Sequence, residues 1–338
     1  MKALVRENIQ NLKAYSSARD EFYGDAKVFL DANESPNGEL NRYPDPYQRE
    51  LKCLIAAEKN ISEKNILLGN GSDEVIDLVI RTFCEPQKDS ITILPPTYGM
   101  YKVCADINNV EIKEINLTAS FNLNAQEILN NPTKILFICS PNNPTGNPFE
   151  LNVLEKIVSS YKGIVFIDEA YVDFCLEYSS IDLIKKYPNV IVSQTFSKAR
   201  GMAGIRLGMC FASEEIIAVL NKVKPPYNVN QLTQNVAIES FNNKEDYLQK
   251  VNLIKSRRAA LVTELNSKNF IKKVYKSESN FLLIKVSDAK KLYNYLLENG
   301  LVIRNRSNQV NCENCLRITV GTKSENELLI NLLNKFES

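Results

Sequence analysis

Short apolar runs alternate with amphipathic stretches between about residue 64 and residue 213. Runs of this length, separated by helical patterns such as those over residues 73–83 and 153–161, are typical of strands buried on both faces of a sheet. The predicted strands are residues 66–68, 90–94, 110–115, 134–139, 164–167, 190–193 and 207–211. The pattern therefore predicts an α/β fold in which a mainly parallel, seven-stranded sheet lies between helices.

The pattern changes after Pro225-Pro226, where the strand and helix signals no longer alternate regularly. A long helical pattern over residues 231–265 is followed by shorter elements that we expect to form a smaller α+β domain. These are strands at residues 280–286, 301–304 and 316–320, and helices at residues 289–298 and 325–336.

A chain of 338 residues is long for one compact core, so two domains are expected. We assign residues 36–243 to a large domain and residues 244–338 to a small C-terminal domain. Residues 1–35 are less regular, and we expect them to form an N-terminal arm or part of the small domain.

Charge and hydropathy narrow the range of partners. The formal net charge is +1, from 41 basic and 40 acidic residues. This balance gives no reason to expect nucleic acid or an anionic membrane as the main partner. The N-terminal residues lack the apolar stretch of a signal peptide, and no run approaches the roughly 18 apolar residues of a membrane span. We expect a cytoplasmic protein.

The chain contains no histidine. This excludes Ser-His-Asp and Cys-His catalysis and most catalytic zinc sites. Proton transfer near neutral pH must then use a lysine, tyrosine, cysteine or carboxylate, or a bound cofactor.

The spacing of Cys312 and Cys315 is that of half a zinc site or of a redox pair. No second pair and no histidine accompany them, so we expect a loop with two free thiols and no metal site.

Polar residues follow four of the predicted strands, in segments 69–73, 140–146, 168–171 and 197–198. Ligands of such sheets bind at the carboxyl ends of the strands. We therefore expect these segments to converge on one site.

The segment Ser197-Lys198 follows the apolar run of residues 190–196, and a lysine at the end of a buried strand is costly unless it has a partner or a role. Attachment to an aldehyde cofactor is such a role, since desolvation frees the lone pair of the amine. A surface lysine just beyond the strand is the alternative.

Several other residues of these segments suit a phosphate and a ring. Arg206 and the glycines before it could bind a phosphate, as could Gly71, Ser72 and Asp73 if Ser72 caps a helix that begins there. Asp168 could pair with a protonated pyridine nitrogen, and Asn143 and Tyr171 could hold a ring hydroxyl. Tyr98 could stack on a flat ring. Turn residues, helix caps and core tyrosines are the alternatives for each residue taken singly.

Taken together and in this order, the motifs resemble those of fold-type I pyridoxal-phosphate enzymes, the class I and II aminotransferases. The motifs are Asn143-Pro-Thr-Gly146, Asp168-Glu-Ala-Tyr171 and Ser197-Lys198, with Arg206 eight residues further on. The resemblance covers essentially the whole chain.

Within that family the segments outside these motifs resemble the histidinol-phosphate aminotransferases. Those segments are Arg42-Tyr-Pro44, Arg81-Thr-Phe-Cys-Glu-Pro86, Pro95-Pro-Thr-Tyr-Gly-Met-Tyr101 and Leu316-Arg-Ile-Thr-Val-Gly321. The resemblance implies pyridoxal 5'-phosphate as cofactor and ping-pong amino transfer between L-histidinol phosphate and 2-oxoglutarate. The products would be imidazole acetol phosphate and L-glutamate, in histidine biosynthesis.

The resemblance also implies residue roles around the cofactor ring. Lys198 would hold the cofactor as a Schiff base and later move a proton, and Asp168 would keep the pyridine nitrogen protonated. Asn143 and Tyr171 would hold the 3-hydroxyl, and Tyr98 would stack on the ring.

Further roles concern the phosphate of the cofactor. Gly71, Ser72, Asp73, Ser197 and Arg206 would surround this phosphate, Asp73 through its backbone N–H.

Tyr43 would reach the phosphate of a neighbouring subunit's cofactor. The resemblance therefore implies a homodimer with shared active sites.

For the substrate, the resemblance implies that Arg317 binds an α-carboxylate and that Arg304 binds the phosphate, with Arg306 a competitor for the second role. Planar forked donors suit both anions. Tyr15 and Asn33 match the N-terminal residues near the substrate.

Other functions remain open on the sequence alone. An aromatic amino-acid aminotransferase, or a decarboxylase of a phosphorylated amino acid, could share the scaffold. A non-enzymatic regulator would be expected to carry a fused DNA-binding domain, and a chain without cofactor would not need Lys198, Asp168 and Arg206.

Overall fold

The computed structural model describes residues 2–15 and 27–336. Eleven strands are present in this part of the chain: β1 (Ile66–Asn70), β2 (Ser90–Ile93), β3 (Glu111–Glu114), β4 (Ile135–Cys139), β5 (Ile164–Asp168), β6 (Val190–Thr195), β7 (Leu207–Ala212), β8 (Ile271–Val274), β9 (Phe281–Val286), β10 (Arg304–Asn305) and β11 (Cys315–Thr319). Shorter 3-10 turns lie at Lys2–Leu4, Glu63–Asn65, Val172–Phe174, Leu176–Tyr178 and Ala203–Ile205.

The α-helices of the same residues accompany the strands in an order that fits an α/β fold. They are α1 (Glu7–Gln10), α2 (Arg49–Lys59), α3 (Ser72–Phe83), α4 (Met100–Ile107), α5 (Ala125–Asn130), α6 (Leu151–Ser160), α7 (Leu183–Lys186), α8 (Glu214–Val223), α9 (Gln231–Phe241), α10 (Lys244–Asn266), α11 (Ala289–Glu298) and α12 (Lys323–Lys335).

The larger sheet has seven strands in the order β1-β7-β6-β5-β4-β2-β3. Only β7 runs against its neighbours; the pairs from β6 through β5, β4 and β2 to β3 are all parallel. The predicted seven-stranded, mainly parallel sheet is confirmed, and every strand predicted for it is found within two residues of its predicted ends.

Alternating side chains of the central strands bury two separate apolar layers. In β4, Leu136 and Ile138 belong to the cluster on one face, whereas Ile135 and Phe137 belong to the cluster on the other. Successive side chains of a strand point to opposite faces. A strand that is covered on both faces is therefore apolar at every position, which explains the continuous apolar runs in the sequence.

The smaller sheet is antiparallel, in the order β10-β11-β9-β8. Its core joins Leu261 and Leu265 of α10 to Leu282 and Ile284 of β9, with α11 and α12 contributing further apolar residues. The structure thus has a second, smaller α+β unit, as predicted. The boundaries assigned to the domains stay predictions.

Two sequence predictions about this part are wrong in detail, and one strand was missed. The helix predicted over residues 231–265 is broken at residues 242–243 into α9 and α10, and the strand predicted over 301–304 is reduced to Arg304–Asn305. β8 was not predicted, because its central residues are two exposed lysines and it carries no apolar run.

The two sheets meet at the loop that follows β4. The backbone N–H of Glu278, just before β9, donates to the carbonyl of Gly146 over 2.8 Å. A Cβ at Gly146 would lie 2.3 Å from Oγ of Ser277, and the residue has φ of +83°. Glycine at this position therefore allows the small sheet to approach the edge of the large one, and the site described below lies at this junction.

None of the helices in the described part of the chain is long and apolar enough to cross a membrane.

Candidate active site

The predicted segments converge on one cavity at the carboxyl ends of β4, β5 and β6. Its wall includes residues that follow each of these strands and the first residues of α3. The lining residues are Ser72, Asp73, Tyr98, Cys139, Asn143, Asp168, Ala170, Tyr171, Thr195, Ser197, Lys198, Ala203 and Arg206. Nine of the predicted ring and phosphate residues are thus brought together, and Gly71 directly precedes Ser72.

Asp168 is the last residue of β5 and is 2% exposed. Its carboxylate accepts hydrogen bonds from the Tyr101 hydroxyl (2.7 Å), the Ala170 backbone N–H (3.1 Å) and the Ser193 hydroxyl (3.2 Å). All three donors are neutral, and no cation of the described residues forms an ion pair with it. Burial raises the pKa of Asp168 despite these bonds. A buried carboxylate of this kind suits a cationic N–H of a ligand.

Lys198 is half-buried, and its Nζ lies 5.7 Å from the ring centroid of Tyr171. Burial, and then the positive charge of Arg317, lower the pKa of its amine. A lower pKa increases the fraction of neutral amine, which is the nucleophilic form. The environment therefore activates Lys198 for attack on a carbonyl.

A hydrogen-bonded row links the large sheet to the small one beside Lys198. Nδ2 of Asn143 donates to the Tyr171 hydroxyl over 3.3 Å, and Nη1 of Arg317 donates to Oδ1 of Asn143. Burial raises the pKa of Tyr171, so that its hydroxyl stays protonated. The row places a neutral hydroxyl, an amide and a guanidinium in sequence along one wall.

The loop between β1 and α3 opens the N-terminus of the helix toward the cavity. Gly71 is the N-cap, with φ of +81°, and no side chain caps the helix. The prediction that Ser72 caps it is wrong, because Ser72 is already the first helical residue. The Ser72 backbone is close to β7: a Cβ at Gly208 would lie 2.2 Å from the nitrogen of Ser72. Uncapped N–H groups at a helix start favour an anion.

Arg206 lies across this helix start. Its Nη2 is 3.6 Å from Oδ2 of Asp73, and a Cβ at Gly71 would lie 2.6 Å from the same Nη2. Arg206 itself has φ of +55°. A side chain at residue 71 would collide with the guanidinium, so Arg206 can take this position only because residue 71 is a glycine. Half of the Arg206 side chain stays accessible to a ligand.

The hydroxyl groups of Ser197 and Thr195 also line the cavity. Oγ of Ser197 lies 3.0 Å from Oγ1 of Thr195, which also accepts from the Ser197 backbone N–H over 3.1 Å. Ser197 was predicted as a site residue and Thr195 was not. The only signal for Thr195 was its place at the end of an otherwise apolar strand.

Tyr98 lies in the cavity wall, and its hydroxyl donates to Oδ1 of Asp73 over 3.0 Å. Its ring meets the ring of Tyr101 edge-on at 5.6 Å. Tyr101 was missed by the sequence reasoning, although it is three residues from Tyr98. A tyrosine in an amphipathic helix carries no sign that its hydroxyl reaches a carboxylate.

Three arginines of the small sheet lie together next to this wall. Arg304 and Arg317 are direct partners across β10 and β11, and Arg306 follows two residues after Arg304. Burial and then the charges of Arg317 and Arg304 lower the pKa of Arg306 to about 10. Its Nε is buried without a hydrogen-bond partner, and none of the three pairs with a carboxylate of the described residues. Such a cluster is arranged for an anion.

The remaining predicted residues lie away from the cavity of the same chain. Tyr15 is 70% exposed. Asn33 and Tyr43 line a separate surface depression with Leu232, and the Tyr43 ring stacks on Tyr227 at 4.5 Å. The structure of one chain does not bring these residues to Lys198.

Comparisons with known proteins agree with this geometry. The model of the family "Aminotransferase class I and II" matches residues 17–333. A histidinol-phosphate aminotransferase of Christiangramia forsetii is 54% identical over 341 residues, covering 99% of this chain and 97% of the relative. One of Bacteroides thetaiotaomicron is 51% identical over 342 residues, covering 100% and 99%.

A solved structure shows the same architecture. The crystal structure of the histidinol-phosphate aminotransferase from Clostridium acetobutylicum superposes with a TM-score of 0.81 at 27% identity, covering 88% of this chain and 90% of that one.

Proposed function

The chain belongs to the class I and II aminotransferase family, and we propose that it transfers the amino group of L-histidinol phosphate to 2-oxoglutarate. The products are imidazole acetol phosphate and L-glutamate, and the reaction serves histidine biosynthesis. The similarity to relatives of this activity carries the choice of substrate, because it extends over nearly the full length of both chains.

Pyridoxal 5'-phosphate is the cofactor, and the donor set of the cavity fits it. The buried Asp168 with its neutral partners suits a protonated pyridine nitrogen. The uncapped start of α3 with Arg206 and Ser197 suits the phosphate. When bound, the cofactor supplies an aldehyde and an electron-withdrawing ring that stabilises negative charge at the substrate α-carbon.

Individual residues of the chain have separate roles in this reaction. Lys198 would hold the cofactor covalently, and its free amine would take the proton from the α-carbon of the substrate. Burial and then the charge of Arg317 lower the pKa of that amine, which favours this role. Asn143 and Tyr171 hold the ring hydroxyl, and Tyr98 packs on the ring. Each of these roles is part of the proposal.

The arginine cluster supports a phosphorylated substrate. Histidinol phosphate carries a phosphate and no α-carboxylate, whereas 2-oxoglutarate carries two carboxylates. None of Arg304, Arg306 and Arg317 pairs with a carboxylate in the part of the chain that the structure describes. Arg304 and Arg317, directly opposite each other in β10 and β11, share a face of the small sheet, and Arg306 follows β10. Guanidinium groups bind both kinds of anion in a forked geometry. One cluster therefore serves both half-reactions.

A homodimer and a cytoplasmic location are also part of the proposal. The dimer is supported by the exposed Tyr43, which is 51% accessible and lies outside the cavity of its own chain. An aromatic amino-acid aminotransferase, a phosphorylated amino-acid decarboxylase and a regulator on this fold are not favoured by the relatives.

The half-reaction tests this function. Purified protein loaded with pyridoxal phosphate is titrated with L-histidinol phosphate, L-histidinol or L-phenylalanine, without a keto acid, while the visible absorption band is followed. We expect histidinol phosphate to bleach the band at a concentration at least about 100-fold lower than the other two.

Two outcomes would contradict the proposal in different ways. Equal or better bleaching by phenylalanine would assign the protein to the aromatic aminotransferases. A protein that shows no visible band after addition of pyridoxal phosphate would not be an enzyme of this kind.

A further inference from the structure

The residue two positions after Lys198 is enclosed by aromatic rings. The side chain of Arg200 is 5% exposed, and its guanidinium carbon lies 4.7 Å from the ring centroids of Phe196 and Tyr247 and 4.8 Å from that of Phe241. A guanidinium that has lost its water is stabilised by the negative faces of such rings. We call these three rings the aromatic cage of Arg200.

Charged groups continue from the cage toward the site. Arg200 forms an ion pair with Glu58 at the end of α2. Lys59 lies 3.8 Å from Glu58 and 3.9 Å from Asp173, in the turn after β5. Burial and then the charge of Asp173 raise the pKa of the Tyr247 hydroxyl. The loop after β6, the end of α2 and the turn after β5 are thus joined through one buried arginine.

The cage also joins the two parts of the molecule. Phe241 is the last residue of α9, and Tyr247 lies in the first turn of α10, so the guanidinium contacts both sides of the helix break. α10 continues to the core of the small sheet through Leu261 and Leu265. Arg200 therefore links the junction between the large and small parts to the loop that follows β6.

The backbone connects Arg200 closely to Lys198. The N–H of Gly201 donates to the carbonyl of Lys198 over 3.0 Å, and that of Met202 donates to the carbonyl of Phe196 over 3.1 Å. Ala199 packs in one cluster with Tyr171 and with residues of α10 and β9. A shift of the Arg200 side chain would therefore move a short, tight turn that contains Lys198.

Stability alone is a weak reason for an arginine at this position. A buried ion pair is often replaced by apolar residues with no loss of stability, because the cost of removing two charges from water offsets their attraction. Three aromatic rings would accommodate a leucine or methionine well. A planar, forked cation is required instead where an orientation has to be fixed.

We propose that Arg200 is a positioning residue, which holds the turn carrying Lys198 in register with the α9–α10 junction and so aligns the lysine with the arginines of the small sheet. This rests on the proposed function in one respect only, namely that Lys198 is the cofactor lysine.

The test compares Arg200→Met with Arg258→Met in the full-length protein. Arg258 is a matched control, because it is 11% exposed and pairs with Glu278 over 2.6 Å, but has no aromatic cage and lies in α10. Two readouts are taken: amide hydrogen exchange of residues 197–206 in the cofactor-free protein, and the pH midpoint of the visible band in the cofactor-loaded protein.

We expect Arg200→Met to accelerate exchange of residues 197–206 about tenfold and to move the pH midpoint by about one unit. Its kcat should fall about tenfold with little change in KM, because the lysine and not the substrate arginines is displaced. Arg258→Met removes a comparable buried ion pair and should leave both readouts unchanged. If the two variants behave alike in exchange and pH midpoint, Arg200 is only a structural anchor.

Arg200→Lys decides the matter if the methionine variant does not fold. It retains the charge beside Glu58 and loses the planar contacts, so we expect roughly threefold faster exchange and a midpoint shift in the same direction. A lysine variant identical to wild type in both readouts would contradict the proposal. Absence of a visible band in wild type would count against the proposed function instead, and the exchange readout would still decide the role of Arg200.

Discussion

At the scale of a single residue, Asp168 is a functional group that lowers the stability of the fold. Its carboxylate is buried and is bonded only to neutral donors, and burial raises its pKa. A carboxyl group whose pKa is raised by folding destabilises the fold once pH rises above its ordinary value, because the unfolded chain then ionises more readily. The burial of Asp168 therefore lowers stability at neutral pH, and the residue is retained for the cofactor.

Replacement of Asp168 by asparagine tests this trade-off. We expect Asp168→Asn to raise the unfolding temperature of the cofactor-free protein at pH 7 by about 3 °C. The gain should vanish as pH falls toward the ordinary pKa of an aspartate. The cofactor-loaded variant should lose at least about 100-fold in kcat. Asp182→Asn, at an exposed aspartate, is the control and should change neither quantity.

A lower unfolding temperature for Asp168→Asn at pH 7 would contradict the account, since it would mean that the carboxylate stabilises the cofactor-free fold.

Single residues also show what the sequence could and could not predict. Asp168 and Lys198 were identifiable because each is a charged residue at the end of an apolar run. Tyr101, Thr195 and Ser193 were not identifiable. Each is a common residue of a helix or a strand, and only the fold brings its hydroxyl group next to Asp168 or Ser197.

At the scale of elements, the connection between β1 and α3 depends on a glycine for two reasons. Gly71 has φ of +81°, and a Cβ there would lie 2.6 Å from Nη2 of Arg206. The first property strains any other residue. The second displaces the guanidinium from the helix start.

Gly71→Ala should therefore weaken cofactor binding. We expect the dissociation constant for pyridoxal phosphate to rise about tenfold, measured by fluorescence titration of the cofactor-free protein. Gly300→Ala is a matched control, because Gly300 has φ of +76° but no atom within 4 Å of its Cβ position. It should cost similar stability and leave cofactor affinity unchanged. Equal affinity in both variants would show that Arg206 does not depend on Gly71.

A second prediction at this scale concerns Arg306, the residue that follows β10. Arg306→Gln should raise KM for histidinol phosphate about 10-fold or more, because the phosphate loses a buried, charge-assisted partner. Turnover of phenylalanine should change by less than about twofold. The control is Arg257→Gln, in a groove between α10 and α12. An unchanged KM for histidinol phosphate would leave the phosphate to Arg304 and Arg317.

Elements with strong periodicity were predictable, and those defined by tertiary packing were not. Apart from the edge strand β3, which is mostly charged and exposed, the strands of the large sheet carry short apolar runs that predict buried strands. The break at residues 242–243 was missed because helical periodicity continues across it, and the aromatic cage that accompanies it brings together residues distant in sequence.

At the scale of the whole molecule, Tyr43 is the residue that one chain leaves unexplained. It is half exposed, stacks on Tyr227, and lies outside the cavity. In the proposed dimer it reaches the cofactor phosphate of the partner subunit, so that each site is built from two chains.

Mixed dimers test this arrangement. In a dimer of one Lys198→Ala and one Tyr43→Ala subunit, a shared-site architecture gives one intact site, with Lys198 from one chain and Tyr43 from the other. When equal amounts of the two variants are unfolded together and refolded, half of the dimers are mixed, and each mixed dimer has one of its two sites intact. About one quarter of wild-type activity should then be restored. If Tyr43 served its own chain, no site would be intact and mixing would restore nothing.

The most direct test of the account is to locate the cofactor on the chain. Purified protein loaded with pyridoxal phosphate is reduced with borohydride and digested, and its peptides are analysed by mass spectrometry. The account predicts a single reduced pyridoxyl-phosphate group on Lys198, which vanishes in Lys198→Ala. Stable attachment to another lysine, or none in folded wild-type protein, would contradict the assignment of the cavity at the ends of β4, β5 and β6 as the active site.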